Sequence, residues 1–163
     1  MKKLAIIGAG GHGKVVADCA EQLNVYDEIF FIDAVYPKTT QVLHWQVKGD
    51  SDDWQQYVDS ADFVVAIGSN QTRLRLTKEL LAHNANVVSI IHPSSQISAY
   101  SAIGQGSVVF ANAVVNCSTQ LGIATIINTG ATVDHDCNIG DGCHISPGAN
   151  IAGGVTIGQY GWI

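Results

Sequence analysis

The sequence predicts two folds in succession, an α/β domain followed by an all-β parallel β-helix. Short apolar runs alternate with helix-like segments as far as residue 91, which is the pattern of a parallel sheet with helices on its faces. From Ile97 onward every sixth residue is aliphatic, and a period of six fits no α-helix. We therefore expect one domain over residues 1–91 and a second over residues 92–163.

The elements of the first domain follow from its apolar spacing. Continuous apolar strands indicate a parallel sheet that is buried on both faces. Ser69 or Asn70 is placed to cap the last long helix, and residues 34–50 look irregular and polar. The domain is too short for a full dinucleotide fold of six strands, so we expect a compact version. In chain order we predict strands at 4–7, 29–32, 63–67 and 87–91 and helices at 14–23, 51–58 and 70–83.

The elements of the second domain follow from the repeat. Twelve successive positions at six-residue spacing, from Ile97 to Ile163, are aliphatic, although Ile, Leu and Val occupy only 42 of the 163 positions. Because side chains alternate along a strand, each aliphatic residue and the small residue two places before it point inward. The residues between them turn the chain. An ordinary antiparallel domain with accidental spacing is the alternative, and the unbroken run argues against it.

Composition restricts the partners of the chain. A formal net charge of −6 without any basic run argues against nucleic acid as a partner. No stretch approaches the ~20 apolar residues of a membrane span, and the apolar start is too short for a signal peptide. The four cysteines form no CxxC pair, as expected of reduced thiols in the cytosol. We expect a cytoplasmic protein that does not insert into a membrane.

A glycine loop follows the first strand. Gly8, Gly10 and Gly13 match GxGxxG between a strand and a helix, where glycines let the backbone approach a diphosphate and the helix N-terminus favours negative charge. Asp33 ends the second strand, where an acidic residue binds a ribose hydroxyl. The spacing alone indicates an NAD site in a Rossmann-like domain. A tight turn over an empty pocket is the alternative, although a turn does not demand the polar His12.

Taken together, these motifs resemble one branch of the hexapeptide-repeat acyltransferases, the sialic acid O-acetyltransferase and UDP-4-amino-sugar N-acetyltransferase family (NeuD/PglD type). The resemblance implies a left-handed coil with three repeats per turn, acetyl-CoA as co-substrate, and a homotrimer with active sites between neighbouring subunits. Family members usually continue for several more repeats, so we expect that the chain is truncated at its C-terminus. The motifs that carry the resemblance are GAGGHG at 8–13, AIGSN at 66–70 with Arg73, Ile91-His92, Asn128-Thr129, VDHDC at 133–137, and His144.

This resemblance redirects the glycine loop from NAD to a UDP-type sugar nucleotide. The function it implies is N-acetylation of a nucleotide-linked amino sugar in surface glycan biosynthesis. O-acetylation of sialic acid or another sugar stays open, as does a non-catalytic module that binds a sugar nucleotide or NAD. The residues implied as substrate contacts are Gly10, Gly11, His12, Gly13, Asp33, Gly68, Asn70 and Arg73.

His135 is the candidate general base. In the repeat register it lies two residues after the inward Val133, at a corner and pointing outward. An imidazole with an unperturbed pKa of ~6.5 suits removal of a proton from an attacking amine, and a neighbouring carboxylate would orient it. The family commonly has Glu after this histidine, whereas this chain has Asp136, and Asp134 flanks the other side. Which carboxylate pairs with His135 is open, and a solvated corner histidine is the alternative.

The resemblance also implies acetyl-CoA contacts at His144, Asn128 and Gly153, with Asn128 a candidate for the acceptor site as well. A zinc site is an alternative, because His135, Cys137, Cys143 and His144 are close in sequence. The repeat register points both cysteines inward, where a free cysteine behaves as a small apolar residue. We therefore expect no metal.

Overall fold

The structure, a computed structural model, describes residues 1–163 and divides the chain into two units, Met1–Val88 and Ser89–Ile163. The first unit is α/β and the second is a parallel β-helix, which confirms the predicted fold class. Of the helices, none combines the length and apolarity that a membrane crossing requires.

The first unit contains one sheet with the strand order β3-β4-β2-β1-β5-β6. All neighbouring strands are parallel except β3 and β4. A 3-10 helix, Asp53–Tyr57, lies between β4 and β5. The elements are β1 Lys3–Ile7, α1 Gly11–Gln22, β2 Glu28–Ile32, β3 Gln41–Val42, β4 Trp45–Val47, β5 Asp62–Val65, α2 Asn70–Ala82 and β6 Asn86–Val87.

Three predicted elements of this unit were wrong in detail. The sheet has six strands rather than four, because the polar stretch 34–50 contributes the hairpin β3–β4. The segment predicted as a helix at 51–58 is the short 3-10 helix. The strand predicted at 87–91 is two strands, because Val87 pairs with β5 whereas Ile90 and Ile91 pair with Val108 and Val109 in the second unit.

Apolar side chains from both helices and the central strands form the core of the first unit. Phe30 and Phe63 are fully buried in the sheet, and Leu80 packs on them from α2. The helix α2 begins after Ser69, whose Oγ accepts a hydrogen bond from the backbone N–H of Thr72, so that one of the first unpaired N–H groups is satisfied.

The second unit is a left-handed coil with three flat sides. Paired residues on successive coils are 18 apart, as for Val108 and Ile126, so each coil contains three hexapeptides. Side 1 consists of β7 Ile90–Ile91, β10 Val108–Val109, β13 Ile126–Ile127 and β16 His144–Ile145; side 2 of β8 Gln96–Ile97, β11 Val114–Val115, β14 Thr132–Val133 and β17 Asn150–Ile151; and side 3 of β9 Ala102–Ile103, β12 Gln120–Leu121, β15 Asn138–Ile139 and β18 Thr156–Ile157.

Ladders of aliphatic side chains fill the coil. The second residue of each strand points inward, and Ile127, Val133 and Ile145 are fully buried. At each corner a two-residue turn joins one side to the next, and its second residue usually has a positive φ, as at Ser118 (62°) and Asp136 (56°). The predicted repeat register is therefore confirmed, with the turns projecting from the corners.

Candidate active site

Packing within the chain requires two glycines, Gly8 in the loop after β1 and Gly13 in the first turn of α1. Gly8 has a φ of +110°, and a Cβ there would lie 2.8 Å from the carbonyl oxygen of Ala66. A Cβ on Gly13 would lie 2.1 Å from the carbonyl oxygen of Gly8. Contacts this short exclude any side chain, so Gly8 and Gly13 bring the loop, β5 and α1 close together.

Three other glycines have no such reason in the fold. A Cβ on Gly10, Gly11 or Gly68 would meet no atom within 4 Å, and none of the three has a positive φ. Gly10 precedes α1, and no side chain caps this end of the helix. His12, the second residue of α1, is half-buried. The open backbone at the start of α1 is therefore available to an anionic ligand.

The Asp33 side chain closes the glycine loop. Its Oδ2 accepts a hydrogen bond of 2.6 Å from the backbone N–H of Ala9, and its Oδ1 accepts one of 2.9 Å from Val35. The carboxylate thus joins the end of β2 to the loop after β1. Asp33 also lines the neighbouring cleft, so its predicted position beside a ribose stays a prediction.

A cleft of about 330 Å³ opens at the carboxyl ends of β1 and β2. Open α/β sheets bind their ligands at this edge. Three carboxylates, from Asp33, Asp52 and Glu79, line the cleft, and Arg75 is the one cationic side chain there. Such a lining favours groups that donate hydrogen bonds. The lining residues are Ile7, Gly8, Ile32, Asp33, Ala34, Ser51, Asp52, Trp54, Ile67, Thr72, Arg75, Leu76 and Glu79.

Arg73 does not line the cleft but stabilises the loop between β5 and α2. Its side chain is 1% exposed. The guanidinium donates hydrogen bonds to the carbonyl oxygens of Ile67 (3.0 Å) and Gly68 (3.3 Å) and to Oδ1 of Asn70 (2.8 Å). Both side chains hold the loop between β5 and α2, and their contact with the substrate stays a prediction.

Arg75 was missed in the sequence. It is exposed, pairs with Glu79 at 3.3 Å, and faces the cleft. The signal is helical spacing: Thr72, Arg75, Leu76 and Glu79 form one stripe of α2. The sequence motif contains Arg73 instead, which lies on the opposite, buried face of α2.

His135 and Asp136 form the turn between sides 2 and 3. Nδ1 of His135 lies 2.7 Å from Oδ2 of Asp136. Oδ1 of Asp134 accepts the backbone N–H of His135 (2.8 Å) and the side-chain N–H of Asn116 (2.8 Å). The two carboxylates therefore divide the work, because Asp136 pairs with the imidazole and Asp134 fixes the backbone. The His135 side chain is 57% exposed.

Both carboxylates favour the charged imidazole. The hydrogen bond to Asp136, followed by the charge of Asp134, raises the pKa of His135 above its usual value. The hydrogen bond from Asn116, followed by that from the His135 backbone, lowers the pKa of Asp134. A histidine held in this way is a stronger base than free imidazole and has Nε2 directed away from its carboxylate partner.

A buried threonine, also missed in the sequence, supports the turn from inside the coil. The hydroxyl of Thr119 donates to the carbonyl oxygen of Asp134 (2.6 Å) and accepts from the backbone N–H of Cys137 (3.2 Å). It thus joins both ends of the turn that carries His135. Only the inward position in the repeat gives a signal for this role.

The predicted acetyl-CoA residues lie in two places. Gly153 occupies the turn directly after that of His135 in the same corner column, where the backbone N–H of Gly154 donates to the carbonyl oxygen of His135 (2.8 Å). On side 1, Nδ2 of Asn128 lies 3.0 Å from Nε2 of His144, and the ring of His144 stacks on Trp162 with centroids 4.9 Å apart. In a three-sided coil, side 1 lies opposite the corner of His135.

The two inward cysteines lie in the interior of the coil. Cys137 and Cys143 are buried, and their thiols donate to the carbonyl oxygens of Ala152 (3.2 Å) and Gly158 (3.0 Å). They therefore point away from the imidazoles of His135 and His144. No group of three His, Cys, Asp or Glu side chains in the structure is arranged to hold a metal ion.

Known proteins match the chain in sequence and in fold. Residues 3–80 match the model of the PglD N-terminal domain. UDP-N-acetylbacillosamine N-acetyltransferase of Bacillus subtilis (strain 168) is 30% identical over 113 residues, which cover 68% of this chain and 52% of that protein. The chain thus spans about half the length of this curated relative.

Solved structures match nearly the whole chain. The acetyltransferase domain of PglB from Neisseria gonorrhoeae FA1090, in complex with acetyl coenzyme A, is 41% identical with a TM-score of 0.91, over 99% of this chain and 78% of that one. A variant of perosamine N-acetyltransferase from Caulobacter crescentus, in complex with CoA and GDP-perosamine, is 33% identical with a TM-score of 0.90, over 99% and 77%. These matches confirm the resemblance seen in the motifs, and the chain belongs to the PglD-type family of hexapeptide-repeat acyltransferases.

Proposed function

We propose that this protein is an acetyl-CoA-dependent N-acetyltransferase that acetylates a nucleotide-linked amino sugar in surface glycan biosynthesis. The observation that carries this proposal is the pair of His135 and Asp136, 2.7 Å apart on an outward corner of a β-helix. Relatives with the same fold have been solved with acetyl-CoA and with CoA and GDP-perosamine, so a donor and an acceptor of these classes suit the site.

The two domains divide the substrates. Residues 1–91 would hold the sugar nucleotide, and residues 92–163 would hold acetyl-CoA. The open backbone at Gly10, Gly11 and Gly68 leaves room for a diphosphate at the start of α1. The acidic cleft lined by Asp33 and Arg75 suits the hydrogen-bond donors of a ribose and a nucleobase.

The chemistry needs one base and no covalent enzyme intermediate. The amine of the sugar attacks the thioester carbonyl, and Nε2 of His135 removes a proton from the nitrogen as the C–N bond forms. The imidazolium is stabilised by Asp136. The tetrahedral intermediate then expels the thiolate of CoA, which takes the proton from the imidazolium of His135, so that the products are the acetamido sugar, free CoA and the neutral base.

Assembly as a homotrimer would complete the site. Within one chain, His135 lies on the corner opposite the side that carries His144 and Asn128. A site that uses both groups therefore needs the corner of one protomer and side 1 of its neighbour. We also propose that the protein works in the cytoplasm.

Complementation between inactive variants tests this assembly. His135→Ala and His144→Ala chains would each be inactive alone, but mixed trimers would contain interfaces with both native histidines. Recovery of a fraction of the activity on unfolding and refolding the two together supports a shared site. A mixture that forms trimers by sedimentation but stays inactive contradicts it.

A direct assay tests the reaction. CoA release from acetyl-CoA is followed with UDP-4-amino-4,6-dideoxy sugars, GDP-perosamine and sialic acid as acceptors, and products are identified by mass. We expect N-acetylation of at least one amino-sugar nucleotide, and a fall in kcat of roughly 10²–10⁴-fold for His135→Ala. Transfer only to a sugar hydroxyl would make the protein an O-acetyltransferase, and nucleotide binding without CoA binding would leave it a non-catalytic module.

A further inference from the structure

The turns of the β-helix stack in columns at the corners. In the column between sides 2 and 3, the backbone N–H of Asp136 donates to Cys117 of the coil before it (3.1 Å), and that of Gly154 donates to His135 (2.8 Å). Cys117, His135 and Gly153 are therefore the first residues of three successive turns. Residues at this position are therefore 18 apart in the chain and occupy the same corner of successive coils.

The imidazole of His135 leans over Gly153. A Cβ built on Gly153 would lie 2.6 Å from Nε2, 2.7 Å from Cε1 and 3.1 Å from Cδ2 of that ring. The ring thus occupies the volume that any side chain at 153 would need. Its other edge is held by Asp136 through Nδ1.

The fold itself does not require glycine at this position. Glycines such as Gly154, with a φ of 74°, are second residues of turns, where the positive φ favours them. Gly153 is a first residue and has no positive φ. From Ala99 to Gln159, every other first residue of a turn carries a side chain. The three atoms nearest to a Cβ at 153 all belong to the ring of His135.

We propose that Gly153 is a positioning residue, whose missing side chain lets the His135 imidazole lie flat on the next coil with Nε2 directed to the acceptor amine. This inference deepens the proposed function and rests on His135 as the base. It differs from a mere contact with acetyl-CoA, because Gly153 acts through His135.

The size of the effect follows from the geometry. In Gly153→Ala the ring would have to move by roughly 1 Å to restore van der Waals separation. The ring is an exposed side chain that can move, so the fold should tolerate the methyl group. A displacement of about 1 Å in a catalytic group costs up to roughly 10²-fold in rate. We therefore expect a 10- to 100-fold loss of kcat without loss of stability.

Kinetics of four variants provide the first test. The variants are Gly153→Ala, His135→Ala, the double variant, and Gly158→Ala as the control, because a Cβ on Gly158 meets no atom within 4 Å. We expect Gly153→Ala to lower kcat and to leave the KM and calorimetric Kd for acetyl-CoA within about twofold. In the His135→Ala background the same change should have no further effect on kcat, because the residue that it displaces is gone. Gly158→Ala should match the wild type.

Two kinetic outcomes would overturn the proposal. One is a wild-type kcat in Gly153→Ala. The other is an equal loss of acetyl-CoA affinity with and without His135, which would make Gly153 a co-substrate contact only. Near-normal turnover of His135→Ala would instead show that the proposed base is wrong.

A measurement without ligand tests whether the His135 ring lies over Gly153, even if His135 is not the base. In protein labelled with ¹³C-histidine, the Cε1–H signal of His135 is identified by its loss in His135→Ala. We expect this signal and its pH titration to shift in Gly153→Ala and to stay unchanged in Gly158→Ala. An unshifted signal in Gly153→Ala would mean that the ring does not lie on residue 153, and the inference would fail whatever the enzyme's activity.

Discussion

Replacing Gly11 or Gly13 with alanine should change the stability of the α/β unit in opposite directions. The two residues lie in the first turn of α1 and are two positions apart. A Cβ on Gly11 would meet no atom within 4 Å, whereas a Cβ on Gly13 would lie 2.1 Å from the carbonyl oxygen of Gly8. The pair therefore separates a glycine that the fold requires from one that the proposed ligand requires.

The magnitudes follow from these contacts. Gly11→Ala reduces the freedom of the unfolded chain at the first residue of α1 and should stabilise by ~0.4–1 kcal/mol. In Gly13→Ala the methyl group is more than 1 Å too close to a backbone oxygen, and such overpacking costs ~1–3 kcal/mol. The two variants should thus differ by roughly 1.5–4 kcal/mol in the free energy of unfolding.

Urea unfolding followed by tryptophan fluorescence measures this difference. Trp45 and Trp54 are buried in the first unit, so a Trp162→Phe background restricts the signal to that unit. Calorimetry with a sugar nucleotide supplies the functional measurement. Despite its added stability, Gly11→Ala should bind the nucleotide at least tenfold more weakly, because the methyl group occupies the space proposed for the diphosphate.

Either part of this reasoning can be refuted. A destabilised Gly11→Ala, or a Gly13→Ala as stable as the parent, would contradict the packing described for the loop. A stable Gly11→Ala with unchanged nucleotide affinity would leave the packing intact and remove the loop from the proposed binding site.

Three further changes test other parts of the site. Asp136→Asn should lower the pKa of His135, because it removes the hydrogen bond that raises it; the acidic limb of the kcat/KM profile should move to lower pH while the maximum falls, and an unmoved limb would contradict the pairing. Arg73→Ala should lower the free energy of unfolding in urea by roughly 2–4 kcal/mol, since it leaves a cavity and unpaired carbonyl groups. Arg75→Ala should change that free energy by under ~0.5 kcal/mol but weaken nucleotide binding. Equal stabilities of the two variants would refute the assignment of Arg73 as the buried support and Arg75 as the cleft residue. Thr119→Val should cost ~1–3 kcal/mol and lower kcat, and full activity would show that its hydroxyl does not hold the turn of His135.

The β-helix could be predicted from the sequence almost to the residue. Its register follows from one pattern, an aliphatic residue at every sixth position, and the same pattern recurs in every coil. The inward direction of Val133 therefore predicts that His135 lies on a corner. Because the pattern is repeated so often, tertiary contacts have little effect on the strand register that it predicts.

The junction between the two units could not be predicted in the same way. Residues 87–91 are apolar apart from Ser89, but Val87 pairs with β5 and Ile90 pairs with Val108. Apolar character is the same in both sheets, so composition cannot show where the chain leaves one sheet for the other.

The candidate site was predicted in its residue types more than in its geometry. The motif predicts Arg73 as a substrate contact. In the structure the Arg73 side chain is buried, and Arg75 lines the cleft. The sequence also left open which carboxylate pairs with His135, because either neighbour is close enough in the chain. The turn conformation, with Asp136 at a φ of 56°, decides it. That Gly153 lies under the ring depends on contact across a whole coil, which no local pattern records.

The regular spacing of the coils also limits how this protein can vary. Contacting residues of successive coils are 18 apart. Inserting one complete coil of three hexapeptides outside residues 136–152 would therefore keep His135 next to Gly153 and every aliphatic side chain inside the coil. A single inserted residue between 136 and 152 would shift the glycine away from the histidine and rotate every later aliphatic side chain out of the core. The architecture should therefore tolerate changes in length only in whole steps.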